Sequence, residues 1–275
     1  MSTPSTEREY VLGTHEEELA RLGLQHRLWG AQAYAIWERA GFRPGMTLLD
    51  VGCGPGHATF DLAALAGAQG RVIAVDVSSR FASHVQAQAA ARGVTNVDVH
   101  VGDVEQLEVA AGSVDGAYAR WVLCFVRDPA AVVSAVARAL RPGAAFAVQD
   151  YFNYTALALA PRSRIFEKLI AAVAASWREA GGDPDLVGRL PAIMDACGLE
   201  LREVRPILRT ARPHEPLWQW PTTFFRNFVP LLVRSGHLSA QDAAAVVEEW
   251  EARSRDPHTF FQTPPVFDVI GVKRG

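Results

Sequence analysis

Three carboxylates and a run of glycines mark where this sequence could do chemistry. Asp50-Val-Gly-Cys-Gly-Pro-Gly56 falls where a first strand should hand over to its helix. Glycines at 52, 54 and 56 let the backbone turn tightly and let a ligand approach without meeting a Cβ. The free amides of the following helix N-terminus lie beside the same ligand. Asp76 ends the next β-rich run, VIAVD, where a carboxylate can accept both hydroxyls of a ribose. Gly102-Asp103-Val104 follows the third run, within reach of an adenine edge. All three acids close strands on one sheet edge, the side on which open α/β sheets bind ligands. The glycine spacing is G-x-G-x-G, not the G-x-G-x-x-G of dinucleotide binders.

The elements that must position these residues alternate between two periods. Short β-rich runs at 46–51, 71–76, 97–101, 114–118 and 145–150 are separated by helical stretches at 56–67, 79–92 and 129–140. That alternation implies right-handed βαβ units and a parallel sheet. Ahead of them, Leu22, His26, Trp29, Ala33, Ile36 and Ala40 recur three or four apart, predicting a helix over 15–40. After Asp150 the spacing predicts helices at 155–180 and 185–197, a strand at 199–208 and a final strand at 266–273. About fifty residues rich in aromatics and proline, 211–262, separate those last two strands.

Composition bounds the partners. With 275 residues and 49% apolar content the chain can bury a sizeable core. A formal charge of -3 supplies no global basic field for nucleic acid or an anionic membrane. Cys53, Cys124 and Cys197 form neither a paired framework nor a zinc spacing, so a reducing cytoplasm and no bound metal are expected. No apolar run reaches the length of a spanning helix, and Met1 to Glu9 lacks a signal-peptide pattern.

In LLDVGCGPG (48–56), VIAVDVS (72–78), GDVEQL (102–107), VDGAYARWVLCFVRDP (114–129) and ALRPG (139–143) the chain resembles the class I S-adenosylmethionine-dependent methyltransferases, in particular the ubiquinone and small-molecule methylases. The resemblance covers residues 46–150 closely. It implies a Rossmann-like α/β fold, a seven-stranded mostly parallel sheet with helices on both faces, and S-adenosyl-L-methionine across the carboxyl edge. By family likeness Gly52, Gly54 and Gly56 line the methionine portion, and Asp50 and Cys53 of the same loop are further cofactor-binding candidates. Asp76 and Val77 hold the ribose, Asp103 and Val104 the adenine, and Arg120 and Trp121 lie under the sulfonium end. Ala144 stands where relatives commonly carry a second glycine.

Transfer from such a donor needs alignment, water exclusion and aromatic faces near the positive sulfur. Tyr10, Trp29 and Trp121 are candidates for the last role, and core packing is the competing reading for Trp29. A general base is needed only where the acceptor must lose a proton. His26, polar on a buried helical stripe, and Tyr151, just past the fifth strand, are the catalytic candidates. Core packing competes for His26, and a role as pocket wall for Tyr151. Asp150 and Asn153 leave the same strand end; His57, His214 and His258 suggest no clear role.

Residues 46–210 and 263–275 are expected to form the core. Residues 1–45, 155–182 and 211–262 leave it on the ligand side and are expected to cap the site. Trp218, Trp220, Phe224, Phe225, Phe228, Trp250, Phe260 and Phe261 would line that cap or build its own core. An enclosed apolar pocket predicts a small, largely apolar acceptor methylated on O, N or C, handled by a monomer or homodimer. Nucleic acid is disfavoured: Arg120-Trp-Val-Leu123 stands where exocyclic-amine methylases carry N/D-P-P-Y/F/W. The alternative is a cofactor-binding scaffold or regulator with this fold and no transfer.

Overall fold

The computed structural model describes residues 16–275. Helix α1 (Glu16–Ala40) precedes strand β1 (Thr47–Val51), and α2 (His57–Ala66) leads to β2 (Arg71–Asp76). Next come α3 (Ser79–Arg92), β3 (Val97–Val101), β4 (Val114–Arg120), α4 (Pro129–Ala139) and β5 (Leu140–Tyr151). Hydrogen bonding orders the main sheet β3-β2-β1-β4-β5, then two later strands, β10 (Val266–Lys273) and the edge strand β7 (Leu199–Ile207). Strand β10 runs antiparallel to both β5 and β7, and the other pairs are parallel. Seven strands, mostly parallel and of Rossmann-like order, match the expectation.

Alternation along the strands explains the layers, because successive side chains point to opposite faces. Leu48 and Tyr118 pack with Ala33, Ile36 and Trp37 of α1 and Leu62 of α2. Leu49, Ala117 and Phe146 face the other way, onto Val132 and Val136 of α4 and Met194 of α6 (Leu190–Ala196). The C-terminal half of α1 thus belongs to the sheet's own core. Trp37, outside the expected stripe, is fully buried there. Only its N-terminal half reaches the ligand side, so the described part of the expected cap segment, residues 16–45, is not simply a cover.

A third cluster sits at the carboxyl edge. It joins α5 (Arg164–Glu179), α7 (Gln219–Arg234) and α8 (Ala240–Arg255) around Phe166, Trp218, Phe225 and Trp250. The helix expected over 155–180 is shorter than that. Pro161 lacks the N–H a helix needs, and Ser163 caps α5, its Oγ accepting from the Phe166 amide at 3.4 Å. The preceding residues form β6 (Ala158–Ala160), which pairs with β9 (Phe260–Gln262). Strand β8 (Thr210–Ala211) completes this unanticipated three-stranded sheet, order β6-β9-β8. Among the described residues no helix is long and apolar enough to cross a membrane.

Candidate active site

A cavity of about 230 Å³ opens along the carboxyl edge of β1, β2 and β4 and continues beneath α7. One water takes roughly 10–15 Å³ on the same measure, so the space suits a ligand of many heavy atoms. At its sheet end the wall includes Asp50, Gly52, Cys53, Gly54 and Asp76. Val77, Asp103 and Val104 extend the same wall. Asp76 ties two loops together: Oδ2 accepts from the Gly54 amide at 2.8 Å and Oδ1 from the Ser78 amide at 2.9 Å. Burial raises its pKa against those two amide bonds. The Thr59 hydroxyl donates to Asp50 Oδ2 at 2.6 Å. Burial still pushes Asp50 up to about 6, opposed by the Thr59 hydrogen bond and the charge of Arg120.

Past β4 a relay crosses the cavity wall. Arg120 Nη2 donates to His26 Nδ1 at 2.9 Å, and His26 Nε2 lies 2.8 Å from Asp61 Oδ2. A guanidinium can only donate, so Nδ1 accepts and Nε2 carries the proton. Both ring nitrogens are thereby engaged, and His26 offers no free nitrogen to a substrate. His57 stacks on His26 with centroids 5.6 Å apart. Burial, then the neighbouring His26 and the charge of Arg120, lower its pKa to about 4.

The far end is aromatic. Trp121 takes a left-handed backbone, φ 52°, held by its amide on the Gln149 carbonyl at 2.9 Å. Its ring lies near-parallel to Tyr151 and to Trp220, each at 6.0 Å, and under the Arg120 guanidinium at 5.2 Å. Tyr154 meets Tyr151 at 5.2 Å and Trp177 at 4.7 Å. From α1, Arg21 grips Glu18 with two hydrogen bonds of 2.7 and 2.5 Å. Arg21 Nη1 and Trp220 Nε1 both donate to Gln25 Oε1, at 3.1 and 2.9 Å.

Residues 49–148 match the family model described as a methyltransferase domain. Over that stretch the chain is similar to methyltransferase domains. It is 39% identical over 100 residues to nocamycin O-methyltransferase of Saccharothrix syringae, covering 36% of each protein. It is 31% identical over 119 residues to demethylmenaquinone methyltransferase of Lactococcus lactis, covering 43% of this chain and 46% of that one. The matches thus span less than half the length of these curated relatives. In fold, the YcgJ protein of Bacillus subtilis superposes with a TM-score of 0.61 at 17% identity, covering 88% of this chain and 97% of that one. Geranyl diphosphate C-methyltransferase of Streptomyces coelicolor gives 0.59 at 16% identity, covering 90% and 77%.

The residues at the sheet end of the cavity fit S-adenosylmethionine. A Cβ built on Gly54 would meet nothing within 4 Å, so its backbone faces open cavity. Each Asp76 oxygen accepts one amide and keeps a lone pair. Nη1 of Arg120 is buried with no partner.

Most of the site residues expected from the sequence stand in this one wall, including His26, Arg120, Trp121 and Tyr151. Three do not. Tyr10 lies outside the described residues. Trp29 is 1% exposed and sits behind the wall, edge-on to Trp121 and Trp220 with Arg209 over its ring. Gly56 serves packing: a Cβ there would stand 2.7 Å from Val85 Cγ2, where α2 approaches α3. Asp150 is also turned away, wholly buried and accepting from the Cys124 and Tyr151 amides. Arg21, Gln25, Tyr154 and Trp177 also line this end without having stood out in the sequence, whereas Trp220, Phe224 and Phe225 were among the expected cap aromatics.

Proposed function

We propose that the protein transfers a methyl group from S-adenosylmethionine to an oxygen, nitrogen or carbon atom of a small, largely apolar acceptor. One observation carries this reading: a single cavity joins the glycine loop and its strand-end acids to an aromatic chamber closed by α5 and α7. The names of the nocamycin and demethylmenaquinone relatives, both small-molecule methylases, support it. A scaffold without transfer would not need donor and acceptor spaces to be continuous.

In this reading Asp76 and Val77 bind the ribose, and Asp103 with Val104 the adenine. Gly52, Cys53 and Gly54 flank the methionine portion, with Asp50 as a nearby negative charge. When bound, the cofactor supplies a methyl group already activated by positive sulfur. The chain's task is then alignment, which can remove roughly 7 kcal/mol or more of barrier. Trp121 and Tyr151 exclude water and present ring faces. His26 and Asp61 position Arg120 rather than move a proton.

Residues 46–210 and 263–275 act as the catalytic core, with 155–182 and 211–262 as the acceptor-enclosing cap. The protein works in the cytoplasm as a monomer or homodimer on free metabolites, not nucleic acid. Two measurements test the reading: calorimetry with S-adenosylmethionine, and mass spectrometry of metabolite extracts for a gain of one CH2 unit. Tight binding with no methylated product from a broad acceptor panel would favour the scaffold. Failure to bind would remove the cofactor assignment.

A further inference from the structure

We propose that the acceptor presents an acidic oxygen, a carboxylate, phenolate or enolate, which the aromatic end of the cavity binds as the anion. This rests on the methyl-transfer reading above and adds the chemical class of its substrate.

Tyr151 and Tyr154 are 6% and 3% exposed, and both stand in the cavity wall. Among the described residues neither hydroxyl has a hydrogen-bond partner, and neither is sealed off as a buried orphan, so both open onto the cavity. Gln25 has its carbonyl oxygen taken twice, by Arg21 and by Trp220, which leaves its amide N–H groups. Glu18, the one carboxylate from α1 beside this end, is consumed by Arg21. Asp150, the acid at the end of β5, faces the Cys124 and Tyr151 amides and not the cavity. What remains at this end, among the described residues, is two hydroxyls that can donate or accept, an amide that can only donate, and a guanidinium, with no uncommitted carboxylate. Four rings, Trp121, Tyr151, Trp177 and Trp220, could hold an ammonium by their faces. Among the described residues such an ion would find no counter-charge at this end, and only the two tyrosine oxygens could accept from its N–H groups, whereas an anion can also be met by the donor-only Gln25 amide.

Among the described residues the aromatic end also has no free base: the His57 ring stands beside the glycine loop, with its Nε2 against Gly23 of α1. Both nitrogens of His26 are engaged. Burial raises the pKa of both tyrosines, so neither phenol is a phenolate at neutral pH. A neutral alcohol could not be deprotonated, whereas an oxygen acid arrives ionised. The step then balances without moving a proton. An oxygen lone pair forms the O–C bond as the S–C bond breaks, and the S–C electron pair stays on sulfur. Anion and sulfonium become a neutral ether or ester and a neutral thioether.

The test uses the full chain loaded with S-adenosylhomocysteine and four naphthalene probes. Two are anions at neutral pH, 2-naphthoate and 2-hydroxy-1,4-naphthoquinone; 2-naphthol is neutral and 1-naphthylmethylamine is a cation. Calorimetry should show at least one anion binding tenfold or more tighter than both the naphthol and the amine. The Tyr151→Phe/Tyr154→Phe double variant should lose that preference while keeping S-adenosylhomocysteine affinity within about twofold. An amine bound as tightly as the anions, no measurable anion binding, or a preference that survives in the double variant overturns the inference. In those cases cofactor binding still stands. If S-adenosylhomocysteine itself fails to bind, the methyl-transfer reading falls and takes this inference with it.

Discussion

The two ends of the cavity are built on different principles. At the sheet end each acid sits within a residue or two of a strand terminus, and its partners are backbone amides or a neighbouring hydroxyl. At the aromatic end the walls come from α1, the turn after β5, α5 and α7, held by ring contacts and one shared glutamine. The first end is fixed by local geometry and should tolerate little change. The second is fixed by packing among distant segments, so its shape can vary without disturbing the first. Substitutions at either end can break that contrast.

The largest effect is expected at Asp76. Replacing it with Ala removes a carboxylate whose charged hydrogen bonds are worth roughly 1.5–3 kcal/mol each. Affinity for S-adenosylhomocysteine should fall a hundredfold or more by calorimetry, with the aromatic end unaltered. A change under threefold would mean the ribose is held elsewhere.

Next come two glycines that look alike in sequence. Gly54 and Gly56 both have left-handed backbones, φ 53° and 81°, so either Ala variant carries about 1–2 kcal/mol of strain. The added Cβ enters open cavity at Gly54 but meets Val85 at Gly56. Gly54→Ala should therefore weaken cofactor binding about tenfold with a modest loss of thermal stability. Gly56→Ala should lose more stability, with roughly 1–3 kcal/mol of overpacking added. Equal stability losses, with binding intact in both, would contradict the different roles assigned to them.

The aromatic end is probed by Trp220→Phe, which keeps a ring but deletes the donor to Gln25. One neutral hydrogen bond is worth about 1 kcal/mol, so KM for the acceptor should rise about five- to tenfold. The Kd of the cofactor should stay where it was. If both constants move together, the two ends are coupled and the contrast fails.

The same contrast governs what could be read in advance. Asp50, Asp76 and Asp103 were legible because a strand, a glycine turn and a terminal acid are adjacent in the chain, and parallel pairing brings them to one edge. The sheet order followed from the alternation of periods. The aromatic end was legible only in part: Trp121, Tyr151 and Trp220 stood out, but Gln25, Tyr154 and Trp177 are far apart in sequence and meet them only through tertiary packing. Trp29 misleads for the same reason: its place on a buried stripe does not say whether it faces the ligand or the ring in front of it. The overlong helix at 155–180 is different. Pro161 and Ser163 carried the boundary, but the alanine-rich run around them reads as helix when taken alone.

The smallest effect separates two aspartates with the same pKa. Burial pushes both Asp50 and Asp150 from 3.8 up to about 6. Asp50 lines the cavity and Asp150 does not. A cationic ligand should favour ionised Asp50, so S-adenosylmethionine affinity should fall a few-fold between pH 7 and pH 5. Asp50→Asn should flatten that slope at the lower value, whereas Asp150→Asn should leave it in place. Asp150 should instead appear in stability. Its raised pKa makes the folded state bind the extra proton, so its contribution is full below pH 3.8 and is lost as pH rises through about 6. Between pH 5 and pH 7 that amounts to roughly 1 kcal/mol for a single group. Denaturant titrations of wild type and Asp150→Asn across that window measure it, since the Asn variant lacks this descending component. A ligand-binding slope that vanished in Asp150→Asn would mean the two sites communicate, through Tyr151 at the end of β5. The aromatic end would then no longer be independent of the sheet end.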